Sequence, residues 1–169
     1  CGTGTLAEFP TIETDRCTLE TFTALHLTER YLSWLRDPEV VRYSEQRHRD
    51  HDLESCRAYM DSFSGSPHYF IAIVAKEADL GHIGNMNVYV DENNLVADVG
   101  ILLGDKKVWG RGYGTEAWKA VCEYLLLGLE LRKVTAGTSA NNAGMRGIMH
   151  RTGMVDDGKR ERQFMIGGQ

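Results

Sequence analysis

The chain has 169 residues, 42% of them apolar and 25% charged, which places it among globular proteins and predicts about one domain at roughly 150 residues each. Acidic side chains number 24 against 19 basic ones, and the resulting net charge of −5 removes the electrostatic case for nucleic acid as a partner. The longest apolar run, 124–129, is far too short to cross a bilayer, and 1–5 (Cys-Gly-Thr-Gly-Thr) has neither the basic nor the apolar segment of a secretion leader, so a cytoplasmic protein without a membrane partner is expected.

Residues 1–10 read as a flexible tail and 11–169 as the domain. The pattern over 17–23 predicts a strand, and Thr28 stands where it can cap a helix beginning at Glu29. Asp37-Pro38 restarts a helix. Aspartate there accepts hydrogen bonds from exposed amides, and proline at the first helical position gives up no needed bond, so 38–43 is predicted as a second short helix. A third covers 52–63, with Leu53, Cys56, Met60 and Phe63 on the face expected to pack inward.

The middle changes character. An apolar run at 69–74 and alternation over 83–90 predict neighbouring strands; in the second, Met86, Val88 and Val90 share one face and Asn85, Asn87 and Tyr89 the other. Turn residues fill 91–94, and 96–103 returns as a further strand of an antiparallel meander whose one charge is Asp98. A helix from about Thr115 presents Ala117, Val121, Tyr124, Leu125 and Gly128 as its apolar face, with Glu116, Lys119 and Glu123 facing out. A strand at 133–138, a helix at 142–151 stopped by Gly153, and a short strand at 163–166 complete the order. The fold class is mixed α/β or α+β: a mostly antiparallel central sheet flanked by helices, with a βαβ crossover near the C-terminal half.

The four cysteines (1, 17, 56 and 122) have neither zinc-site spacing nor the density of a disulfide scaffold and read as structural thiols. His48, Asp50 and His51 form a lone cluster without further ligands at metal-binding spacing, so no metal is predicted. The chemistry concentrates at Trp109-Gly110-Arg111-Gly112-Tyr113-Gly114, three glycines at alternate positions ahead of a helix N-terminus. Such glycines let several amides converge on an anion, and the helix dipole adds positive potential; a tight strand-to-helix turn that binds nothing is the plain alternative. A Walker A loop would need Gly-Lys-Ser/Thr where the chain has Gly114-Thr115. A dinucleotide fingerprint would need G-x-G-x-x-G after a parallel strand, whereas the spacing here is G-x-G-x-G behind an antiparallel meander.

A third design fits. Residues 99–117, VGILLGDKKVWGRGYGTEA, resemble motif A of the GNAT superfamily of acyl-CoA-dependent N-acetyltransferases, Q/R-x-x-G-x-G/A, written here Trp109-x-x-Gly112-x-Gly114. Trp109 replaces the usual Gln or Arg, as is common in the branch resembling ribosomal-protein N-terminal acetyltransferases. Residues 141–154 are similar to that family's N-x-A-S-x-R-x-x-E-K-x-G-F helix, with Asn142 at its Asn, and 31–43 to its W-L-x-D-P-E-V-x-R-Y pair.

The resemblance implies acetyl-CoA as cosubstrate. Ile101 and Leu103 would offer backbone groups to the pantetheine arm. Trp109, Gly110, Arg111, Gly112, Tyr113, Gly114 and Thr115 would hold the pyrophosphate, and Asn142 would bond near the thioester. The amide of Leu102 or Leu103 would serve as a small oxyanion hole. Asp98 is the candidate base that takes the ammonium's proton; a structural carboxylate is its alternative. The family's Tyr acid on the last helix falls at Met149, leaving solvent, Tyr113 or a substrate-side group for that task, or no acid at all.

Asn85, Asn87, Tyr89 and His48 would line the acceptor cleft, their bland alternative being a polar sheet face and a solvated loop. The expected acceptor is a primary amine of a small polar molecule such as an amino-sugar, or of a peptide or protein N-terminus. The rivals are a non-catalytic acyl-CoA sensor on the same fold and a nucleotide-binding regulatory domain. The family closes its sheet with a strand beyond the hairpin that 162–168 begins, and an edge left without it is one that a second copy could cover as a homodimer.

Overall fold

The computed structural model describes residues 9–138 and 142–155. Six strands pair in chain order: β1 (Ile12–Glu13), β2 (Cys17–Thr21), β3 (Tyr69–Ala75), β4 (His82–Asp91), β5 (Val96–Leu103) and β6 (Lys133–Thr135). Every pairing up to β5 is antiparallel, and β5 with β6 is parallel. A parallel return needs a crossover, which α3 (Tyr113–Glu123) supplies. α1 (Glu29–Arg36), α2 (Leu53–Asp61) and α4 (Ala143–Arg151) are the remaining α-helices among the described residues. The anticipated mixed architecture with its crossover is therefore the one adopted. The strand expected at 163–166 lies outside the described residues.

The sheet is covered on both faces, which is why β3 is an unbroken apolar run. On one face Met86, Val88 and Val99 pack with Ala117, Trp118 and Val121 of α3 and Ile148 of α4. On the other, Phe70 and Ala72 pack with Tyr31, Trp34 and Leu35 of α1 and Cys56 of α2. Each fully buried aliphatic side chain contributes about 1.5–3 kcal/mol, so both helix pairs are held mainly by these faces. Phe9, assigned above to a tail, is instead buried, its ring edge-on to Tyr69 and Tyr124 at 5.6 and 5.1 Å.

Four local expectations change. Residues 38–43 form turns, not a helix: Glu39 N donates to Asp37 Oδ1 and Val41 N to Asp37 O, but the run goes no further, because Val41 is drawn into the core beside α1 and α2, and Asp37 Oδ2 and Glu39 Oε2 pair with Lys106 Nζ at 2.8 and 2.7 Å. Leu53 is exposed, and the inward stripe of α2 is Cys56, Tyr59 and Met60, with Phe63 beyond its end. Glu116 does not face out; it is half-buried beside Arg16. β6 is also shorter than predicted, ending at Thr135.

α1 is seated against the end of β5. A Cβ on Gly104 would lie 1.9 Å from the Trp34 ring, so only glycine admits the indole. Arg30 reinforces the seat, donating to Leu80 O and Asp105 Oδ2, each at 2.6 Å.

Candidate active site

The site grows from a fork in the sheet. β6 accompanies β5 only through Val96, Ala97 and Asp98, the last pair being Asp98 with Thr135. Beyond it, Val99 to Leu103 keep β4 on one side and lack a strand partner on the other among the described residues. Gly104 N donates to Ile83 O. Antiparallel alternation from that bond aims the backbone groups of Leu102 and Gly100 at β4 and those of Leu103, Ile101 and Val99 at the open side. The parity suits Ile101 and Leu103 as edge donors and acceptors, and turns Leu102's amide away from the opening. Leu103's carbonyl is already engaged, accepting from Trp109 Nε1 at 2.9 Å. From Asp98 to Leu103 the edge runs about 17 Å at roughly 3.4 Å per residue.

At the Leu103 end lies the glycine loop. Gly110 and Gly112 have φ of +74° and +84°, the left-handed region that favours glycine. Trp109 N and Arg111 N are used inside the turn, donating to Lys106 O and Val108 O. The amides of Gly110, Gly112, Tyr113, Gly114 and Thr115 have no acceptor among the described residues and gather at the N-terminus of α3. Gly114 serves packing: a Cβ there would come within 3.0 Å of both Ile148 Cδ1 and Leu103 Cδ1. Tyr113 is buried.

Two arginines that sequence reasoning missed join the exposed Arg111 here. Arg151 of α4 donates through Nε to Thr115 Oγ1 at 3.2 Å. Arg16, just before β2, donates through Nε to Glu116 Oε1 at 2.9 Å and through Nη1 to Arg111 O at 2.8 Å, and its guanidinium lies 4.3 Å from the centre of the Tyr113 ring. Glu116 also accepts from Thr14 Oγ1 at 2.6 Å and Arg16 N at 2.9 Å. Burial pushes the Glu116 carboxyl up, but these donors outweigh it and hold it below its ordinary value, as a carboxylate. No spacing rule links positions 16 and 116; only the fold joins them. With five open amides and three guanidiniums, the α3 terminus suits a multiply charged anion despite the chain's net negative charge.

At the fork, Asp98 is exposed and accepts from Thr135 Oγ1 at 2.9 Å, and its Oδ2 has no partner among the described residues. On the same sheet face the Tyr89 hydroxyl meets that of Tyr59 at 3.0 Å, and Asn87 lies over Gly100, whose added Cβ would come 2.9 Å from Asn87 Oδ1. Asn85 departs from expectation: it is buried, and its Oδ1 is tied to His82 Nε2 at 2.7 Å, so it does not line an open cleft. His48 is exposed at the end of the 3-10 turn Glu45–His48, between α1 and α2. Asn142 caps α4, its Oδ1 accepting from Met145 N at 3.1 Å, which leaves its amide nitrogen for other contacts. Met149, on α4, is half-buried.

The described residues hold no group of three or more His, Cys, Asp or Glu able to bind a metal, and no described helix is long and apolar enough to cross a membrane. Burial pushes the Cys17 and Cys122 thiols up to about 11, so neither is a thiolate at neutral pH.

A family model described as an acetyltransferase (GNAT) domain matches residues 16–155. No curated protein matches the sequence. Among solved structures, the chain is similar to spermidine N-acetyltransferase from Vibrio cholerae in complex with CoA and spermine, at 14% identity and a TM-score of 0.80, covering 92% of this chain and 90% of that one. It is similar to a GNAT-family acetyltransferase from Bacillus anthracis at 17% identity and a TM-score of 0.79, over 95% and 92%. It also resembles a proposed ribosomal-protein-serine acetyltransferase from Vibrio cholerae at 19% identity and a TM-score of 0.69, over 94% and 91%.

Proposed function

Because the chain belongs to the GNAT acetyltransferase family, we propose that it is an acetyl-CoA-dependent N-acetyltransferase acting on a primary amine of a small polar molecule or of a peptide N-terminus. The observation that carries this reading is the continuity of three parts. A β5 edge without a strand partner among the described residues runs from beyond Asp98 at the sheet fork to Leu103, whose carbonyl meets Trp109 at the start of the glycine loop. The residues fit the cosubstrate: amides and guanidiniums for its phosphates at one end, strand-like pairing along the edge, and a carboxylate at the other.

Acetyl-CoA supplies an activated thioester whose carbonyl an amine attacks directly, with departure of the thiol. Gly110 and Gly112 through Thr115 hold the phosphates, aided by Arg111. Ile101 supplies edge hydrogen bonds together with the Leu103 amide, and an amide on this open side polarises the acyl oxygen. Asp98, oriented by Thr135, accepts the proton that the amine sheds, directly or through one water. Tyr89, Asn87 and His48 border the acceptor, a wall of polar groups that includes the Asp98 carboxylate, and Asn142 closes the cleft from α4. Direct attack needs no covalent acyl-enzyme, and the thiols of Cys17, Cys56 and Cys122 are all pushed up by burial. The complex of the Vibrio cholerae neighbour with spermine supports an amine as acceptor.

A second reading, an acyl-CoA sensor without catalysis, is favoured by Met149, which stands where relatives carry their acid. Thiol release separates the two. With acetyl-CoA present, full-length protein is expected to liberate CoA on addition of one class among amino-sugars, polyamines and N-terminal peptides. Binding of acetyl-CoA without release from any of these amines would favour the sensor.

A further inference from the structure

We propose that Arg16 is a positioning residue for the phosphate loop, cancelling the Glu116 carboxylate at the N-terminus of α3 and holding the Arg111 carbonyl so that the loop amides stay turned toward a bound pyrophosphate. The inference rests on the cofactor reading above. A carboxylate in the first turn of a helix competes with any anion seated there. Glu116 is such a carboxylate, and its hydrogen bond to Arg16 Nε is part of an ion pair between partly buried side chains. The guanidinium does more than neutralise. Nη1 takes the Arg111 carbonyl, Cζ lies over the Tyr113 ring, and a Cβ on Gly112 would come 3.1 Å from Nη2. Arg16 thus touches the residues on either side of Gly112 and lies against Gly112 itself. Its backbone amide, bonded to Glu116 Oε2, anchors the start of β2 to α3 at the same point. The loop geometry therefore depends on a side chain at the opposite end of the chain from the glycine motif.

The test measures CoA affinity by calorimetry on the full chain, with pantetheine, which lacks the phosphates, as competitor control. Arg16→Met is expected to weaken CoA by at least about tenfold, because the unopposed carboxylate then repels the phosphates, while the pantetheine inhibition constant moves far less. Glu116→Gln keeps an acceptor for Thr14 and Arg16 but removes the charge, and CoA is expected to bind about two- to fivefold tighter. Combining the two substitutions is expected to recover most of the loss caused by Arg16→Met. An Arg16→Met protein that binds CoA like the wild type would overturn the inference, as would parallel loss of CoA and pantetheine or a double variant no better than the single. Should Arg16→Met fail to fold, as judged by thermal melting, a tenfold weakening by Glu116→Gln would overturn it. Failure of the wild-type protein to bind CoA would overturn the cofactor reading, and this inference with it.

Discussion

Asp98→Asn is expected to lower turnover by about 10²–10⁴-fold, the range that a positioned general base contributes. Asp98 sits at the last β5–β6 pair, where the open edge begins, so its carboxylate lies at the end of the groove farthest from the phosphate loop. Asparagine keeps an oxygen for the Thr135 hydroxyl, and the fold and melting temperature should survive the change. Since the lost task is removal of a proton from the incoming ammonium, the deficit in kcat/KM should be largest below the amine's own pKa and shrink above it. Paired pH–rate profiles of the wild type and the variant check this. Superimposable profiles would leave Asp98 with the structural task of pairing with Thr135.

The second large effect concerns stability and acid. His82 opens β4 and faces α1, its ring 4.8 Å from that of Trp34 and 5.2 Å from that of His26. Burial pushes its imidazole from 6.5 down to about 4, against the hydrogen bond to Asn85, which favours the protonated ring; His26 and Arg30 add positive charge nearby. Glu20, whose carboxylate pairs with His26 Nε2 at 2.9 Å, is the acidic group facing this pair. Between pH 6.5 and 4 the unfolded chain binds a proton at His82 that the folded chain does not, so stability is complete above this window and falls as pH drops through it. The difference amounts to about 3 kcal/mol. Urea unfolding across the window should show the decline in the wild type and a shallower one in His82→Gln. Coincident slopes would mean that His82 is not held neutral in the fold. Because His82 packs against Trp34 and bonds Asn85, its protonation acts on the seat of α1 against the sheet.

How far the sequence is legible differs from element to element. Strands β3 to β5 follow from patterns with one dominant cause, burial of alternate or all side chains, and the turn at 91–94 from Asp91, whose Oδ1 accepts from Asn93 N and Asn94 N. The glycine loop is legible because positive φ at Gly110 and Gly112 leaves a compositional mark. Gly114 carries the same mark for another reason, close packing with Ile148 and Leu103, and sequence alone does not separate the two. Asn85 shares its sheet face with Asn87 and Tyr89, and periodicity gives the face but not the depth. His82, three residues away, covers it. Residues 38–43 carry good helix-start chemistry, and Asp37 Oδ1 does accept from Glu39 N, yet the burial of Val41 and the pairing of Asp37 and Glu39 with Lys106, more than sixty positions on, hold the segment in turns. The same distance problem hides Arg16 from any reading of the glycine motif.

The most direct test is calorimetric titration of acetyl-CoA into the wild-type full-length protein, with ATP and NAD titrated in parallel. The unpaired β5 edge and the amides of the α3 terminus together predict saturable one-to-one binding of acetyl-CoA, much tighter than that of either nucleotide. Absence of acetyl-CoA binding, or binding no tighter than that of ATP or NAD, would contradict the account at its root.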